Sequence, residues 1–286
     1  MVHTLDDRSP VNATLTRDTF VRTLRRYPQF TISPAILIGL IAVWWAAAHV
    51  LRMPAYIVPP PEDVLRATVR GLSYSPWDKA SYWYHAGITV WEAVIGFTLG
   101  SAAGAVIGLA LSHWPLLGRS WYPYIVGFQS LPKVALAPLM VVWFGFGLGG
   151  KVFITAIITF FPVLVNMMAG YQSVEPERLE LARSCNASEM HLLTKIIIPS
   201  CLPFLFAGLG VASVLSILGA VVGEFVGASA GLGMLLMQYN QALEIAPMFA
   251  IILLLAGIGF LMNYLVSLAE RRYCFWAQRA NLARGP

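Results

Sequence analysis

The feature that most constrains this chain is a series of apolar runs longer than a soluble core needs. One opens at Pro34 as PAILIGLIAVWWAAAHVL; others cover about 88–111, 126–144, 152–171, 202–222 and 247–268. Each is long enough to cross a hydrocarbon core of about 30 Å as a helix rising about 1.5 Å per residue. In lipid the backbone must satisfy its own polar groups, so such runs become helices. The chain is 58% hydrophobic and 12% charged, with a mean hydropathy of +0.69. A soluble domain is roughly 45–50% apolar and about 25% charged. The expected fold class is all-α, a polytopic membrane protein with six transmembrane helices.

Four regions follow. Residues 1–31 read as a cytoplasmic N-terminal tail carrying Arg8, Arg17, Arg22, Arg25 and Arg26. Residues 32–86 hold the first span, read as an uncleaved anchor, and an external amphipathic segment. In that segment Pro59 and Pro60 stop any helix and Pro61-Glu62-Asp63 starts a new one. Residues 87–272 are the membrane core, interrupted by a polar loop at 173–199. Residues 273–286 are a cytoplasmic C-terminal tail. Six spans place both termini on one side, together with most of the Lys and Arg, which marks that side as cytoplasmic.

Within the core, Gly96, Gly100, Gly104 and Gly108 recur every four residues and put a bare face on one helix. Another helix can approach closely there, from this chain or another. Pro132 and Pro138 interrupt the third span, and such breaks persist only where the freed backbone groups find protein or water partners. Lys133 lies at the inner end of that span, either as a snorkelling lysine or as a pathway residue. Gly145 to Lys151 satisfies most of the phosphate-loop pattern, but Val152 stands where a hydroxyl must hold magnesium. It reads as a glycine-rich turn. The segment GEFVGASAGLGMLLMQYNQALE is too polar to span and folds at the outer surface or partly re-enters the bilayer. Glu224 near its start is either a pathway residue or a cap for that loop.

No catalytic constellation is present. The five histidines fall in separate segments, and Cys185, Cys201 and Cys274 have no metal-like spacing. No cofactor, metal or nucleic-acid partner is implied, and no paired intramembrane carboxylates are expected. A chain with so little ionisable machinery takes its energy from elsewhere. The polar loop is the place to look. Pro176 suits a first helical position after Glu175, Asn186 suits a left-handed helix stop, and Ser188 suits the N-cap of a second helix ending at Pro199.

Glu180-Leu181-Ala182, Asn186 and Ile196-Ile197-Ile198-Pro199 keep the spacing of the EAA motif, EAAxxxGx(9)IxLP. Leu181, Asn186 and Ile198 depart from its usual residues. The motif marks membrane subunits of type I ABC importers. PPPEDVL, TVWEAVIGFTLG, SLPKVALAPLMVVWFGFG, FFPVLVN and GEFVGASAGLG resemble the nitrate/sulfonate/taurine-type permease branch. The resemblance implies the type I ABC importer permease fold in the bacterial inner membrane, with two permease copies forming the pathway. It also implies two cytoplasmic ABC ATPase subunits that bind the ATP, and an external binding protein that delivers cargo. The ATPase-coupling role then falls on Glu180, Leu181, Ala182, Arg183, Asn186, Ile196 and Pro199. A stand-alone secondary transporter is the alternative.

Overall fold

The computed structural model describes residues 29–276, and the arginines expected in both tails up to Arg26 and from Arg279 lie outside it. All regular elements among the described residues are helical. The chain divides at Val64 into two units. In the first, α1 (Gln29–His49) contains Pro34 and presents apolar side chains outward. Its end is tied to the following segment: Trp44 Nε1 donates to the Pro59 carbonyl (3.0 Å) and His49 Nε2 lies 2.9 Å from Glu62 Oε1. Helix α2 (Pro61–Ser73) starts on Pro61 with Glu62 and Asp63 in its first turn, where acids complement the helix dipole.

The second unit is built on α6 (Leu148–Gln172). It lies between α3 (Tyr82–His113) and α9 (Ile198–Phe225), and both neighbours approach it through small residues. The glycine stripe on α3 meets α6 of the same chain. A methyl group at Gly104 would fall 2.5 Å from the Phe160 carbonyl oxygen, and one at Gly108 would fall 2.7 Å from that of Leu164. On the other side, a methyl at Gly219 would lie 2.8 Å from Thr155 Cα and one at Gly223 would lie 2.9 Å from Lys151 Cα. Thr155 is thus held between Gly96 and Gly219 and is fully buried. Between helices in lipid, packing of this kind replaces the hydrophobic drive that water supplies elsewhere.

Helix α4 (Pro115–Ser130) and α5 (Ala137–Phe144) cover the expected third span, interrupted at Pro132 as the sequence indicates. The pair is bent by 81°. The break at Leu131-Pro132 is followed by a 3₁₀ turn, Lys133–Leu136. Five helices have the length and apolarity to cross a membrane, and six if this pair counts as one span. Ala137 and Met140 of α5 pack on Ile154 and Ile158 of α6.

Two boundaries differ from expectation. Lys151 sits in the first turn of α6, not in a turn between spans. Pro199 does not end the second polar-loop helix. Helix α8 (Glu189–Leu192) passes through a π turn, Leu193–Ile197, directly into α9. The Ile198 N–H reaches back to the Leu193 carbonyl. That wider turn just before Pro199 suits a residue with no N–H and a ring that crowds the carbonyl four residues back. After α9 the chain turns through 226–231 into α10 (Leu232–Gln241), then α11 (Ile245–Tyr273). Leu255, Ile258 and Met262 of α11 pack on Ile217 and Val221 of α9.

Gly104→Ala is therefore expected to force α3 and α6 apart, destabilising the protein by about 1–3 kcal/mol as overpacking does. Gly87→Ala, with open space around the added methyl, is the matched control. Melting of the two purified variants in one detergent checks this, and equal melting temperatures contradict the seam.

Candidate functional site

The polar loop folds as two short helices with a defined turn. Helix α7 (Pro176–Ser184) has Pro176 at its first position and Glu175 as N-cap. At its end Asn186 takes φ +60°. The Asn186 N–H donates to the Arg183 carbonyl (2.9 Å) and the Ala187 N–H to that of Ala182 (3.1 Å). This pair of bonds is a Schellman stop, and asparagine enters its left-handed position more easily than most side chains. The Ser188 hydroxyl then accepts from the His191 N–H (3.3 Å) and caps α8. Arg183 Nε lies 3.5 Å from Glu189 Oε1 across the turn.

One side of the loop is anchored. Leu192 and Ile197 are buried, and Ile197 clusters with Met167, Cys201 and the partly buried Leu179. The other side faces outward: Glu180, Arg183 and Asn186 are exposed, and so are the apolar Leu181 (68%) and Met190 (67%). Ala182, Ile196 and Pro199 are half-buried. The seven coupling candidates therefore lie on one continuous element, with five in α7 and its stop and two at the foot of α9.

The two pathway candidates part company. Lys133 begins the 3₁₀ turn at the broken span and lines a cavity of ≈ 750 Å³ bounded by α3, α5 and α6. Glu224 lines no part of that cavity and is 1% exposed. One of its oxygens accepts from the Thr89 hydroxyl (2.7 Å) and the other from the Gly233 N–H. The Leu232 N–H donates to Thr89 Oγ1 (2.8 Å), and the Gly231 N–H to His85 Nδ1 (3.0 Å). Glu224, Thr89 and His85 together cap the N-terminus of α10, where helix N–H groups otherwise go unpaired.

Beside this cap stands an acid that sequence reasoning overlooked. Glu92, the one carboxylate in the apolar run 88–111, is 2% exposed and pairs with Lys151 Nζ at 2.6 Å. Its other oxygen is buried without a hydrogen-bond partner, and Glu224 lies within electrostatic reach. The expectation of no paired intramembrane carboxylates is corrected here. The acids are far apart in sequence, and only the α3–α6–α9 packing brings them together. The single signal available was a lone acid in an otherwise apolar run.

Glu224→Ala strands the Gly233 N–H and removes one of two acceptors of the Thr89 hydroxyl, which keeps the His85 carbonyl (3.1 Å). A loss of about 1–3 kcal/mol follows from leaving that one buried donor unpaired. Glu224→Gln, which keeps one acceptor oxygen, should lose less. Melting temperatures check this order, and an unchanged Glu224→Ala protein contradicts the capping role.

Residues 96–273 match the family described as "Binding-protein-dependent transport system inner membrane component". The chain is 34% identical over 257 residues to the riboflavin transport system permease protein RibX of Chloroflexus aurantiacus, covering 90% of this chain and 94% of that one. It is 33% identical over 243 residues to the putative aliphatic sulfonates transport permease protein SsuC of Escherichia coli, covering 84% and 89%. Among solved structures, a chain of the MetNI methionine ABC transporter in an inward-facing conformation aligns with a TM-score of 0.55 at 19% identity. That alignment covers 74% of this chain and 98% of that one, a likeness of fold. The family match begins inside the glycine seam and ends with α11, so it spans both the polar loop and the Lys133 cavity. The chain belongs to the binding-protein-dependent transport system inner membrane components, the permease subunits of ABC importers.

Proposed function

We propose that this permease forms the bilayer pathway for a small organic solute and carries no catalytic site of its own. Two cytoplasmic ATPase subunits supply the energy, a second permease copy completes the pathway, and an external binding protein delivers the cargo. The chain sits in the inner membrane with both termini and the loop 173–199 in the cytoplasm. Arg119, Arg178, Arg183, Lys195, Arg271 and Arg272 then share the cytoplasmic side, in line with the positive-inside rule. The cargo class is anionic or aromatic, in the range of sulfonate-like and heteroaromatic solutes. The named roles of the riboflavin and sulfonate permeases support that range.

The observation that carries this reading is the outward face of α7. A two-helix loop with a Schellman stop and a serine cap is a rigid element. It presents Leu181 and Met190 bare among charges. Exposed apolar side chains ringed by polar ones suit a protein groove better than water. The loop's inner side, through Leu192 and Ile197, ties it to the packing of α6 and α9. A displacement of α7 by the ATPase would thus be passed to the two helices at the centre of the unit.

One observation favours a stand-alone carrier: the buried Glu92, Lys151 and Glu224 cluster, since secondary transporters rely on intramembrane ionisable groups. Glu224 is occupied in holding α10, and Glu92 in holding Lys151. The cluster reads more simply as a clamp on the fold.

Glu180→Lys reverses a charge on a solvated helix and should leave stability within about 0.5 kcal/mol. It is expected to cut co-purification of the ATPase about tenfold or more, and transport with it. Affinity purification from membranes, followed by quantifying the ATPase band, tests this. Unchanged ATPase recovery and transport overturn the assignment of Glu180.

A further inference from the structure

The cavity beside the broken span has a composition that narrows its ligand. Five phenylalanines, Phe128, Phe144, Phe153, Phe160 and Phe161, line it together with a single charged side chain, Lys133. No carboxylate lines it. It is open on one side, with Leu99, Phe128, Phe144 and Phe153 of its wall exposed, and its ≈ 750 Å³ falls within the range of small-molecule sites, about 300–1,000 Å³. The irregular stretch of the span contributes Leu131, Lys133 and Leu136 to the wall. Non-helical backbone at membrane depth is tolerated where it lines a cavity, and broken helices are where transporters place their binding groups.

Lys133 is under-used as a structural residue. Its ammonium donates once, to the Gln129 carbonyl (2.8 Å), and stands 5.2 Å from the centroid of the Phe161 ring. An ammonium has three N–H donors. No acid pairs with it among the described residues, whereas Lys151 on the same unit has Glu92. A cation held against aromatic walls without a counter-ion is poised to receive one.

We propose that this cavity, open on one side, is a solute site for an organic anion with a flat apolar body. The acid group pairs with Lys133, and the body lies against the phenylalanine walls. The inference rests on the permease reading and deepens it: the permease itself then discriminates among cargoes, in addition to the external binding protein. Small inorganic oxyanions gain nothing from aromatic walls and keep their hydration. Aromatic cations meet the same walls but are repelled by Lys133.

The test uses the intact permease–ATPase complex in lipid nanodiscs. Cys185 is the exposed native cysteine, whereas Cys201 and Cys274 are buried, so labelling of the otherwise unaltered chain supplies the background to subtract. Ala103→Cys then puts a thiol on the exposed cavity wall, and its rate of reaction with a maleimide is followed. Naphthalene-2-sulfonate is expected to slow labelling, while sodium sulfate and 2-naphthylmethylamine leave it unchanged. Lys133→Gln should raise the half-protecting concentration about tenfold or more, as loss of a charge-assisted contact does, and Lys133→Arg should restore it. Equal protection by the amine, or no change in Lys133→Gln, overturns the role of Lys133. No protection by the sulfonate, in a complex that still holds its ATPase, overturns the site. Loss of the ATPase from the wild-type complex is instead a failure of the permease reading.

Discussion

The close approach of α3 and α9 to opposite sides of α6 is the constraint from which the other features follow. Lipid gives helices no hydrophobic reason to associate, so contact depends on shape and on buried polar pairs. Glycines on α3 and α9 let both helices close on α6, with little more than the Thr155 side chain between Gly96 and Gly219. Once the three helices are that close, Glu92, Lys151 and Glu224 are brought into one buried cluster. Glu224 in turn holds α10 by the Gly233 N–H, beside Thr89 and His85, which hold the Leu232 and Gly231 N–H groups. The foot of α9 is continuous with the polar loop, and Leu192 and Ile197 are buried at its base. Seam, clamp and loop form one mechanical unit.

Such a unit suits a subunit that must move on command from outside itself. Under the proposed coupling, a push at α7 would pass through a three-helix centre whose closely packed backbones have little slack. The broken span differs: its two helices meet at 81°, and the irregular turn between them borders a cavity. Stiff coupling on one flank and an open, irregular wall on another are the two properties a driven pathway requires.

Much of this was legible in the sequence, for local reasons. Apolar runs, the four-residue glycine spacing, Pro176 at a helix start, Asn186 at a stop and Ser188 at a cap all act within a few residues of themselves. Each appears where local chemistry puts it. What was not legible depends on distant partners. The stripe on α3 does not announce that α6 is its neighbour, and Glu92 does not announce Lys151, 59 residues away. Pro199 was misread because a proline is a stop only if the preceding turn cannot widen, and the π turn at 193–197 widens it. Pro132 was read as an interruption of the third span, but the size of that interruption, an 81° bend with an adjoining 3₁₀ turn, depends on what packs beside it.

Under the proposed function, the α7 turn is the contact through which a separate ATPase drives this permease. Cys185 lies at that turn, exposed and free. A short thiol-reactive photocross-linker attached to Cys185 in intact membranes, followed by mass analysis of the adducts, tests the claim without any substitution in the loop. A dominant adduct with the ATP-binding subunit, whose yield changes when ATP is added, is expected. Adducts confined to lipid or to the permease itself, in membranes where the ATPase is present and active, would contradict it.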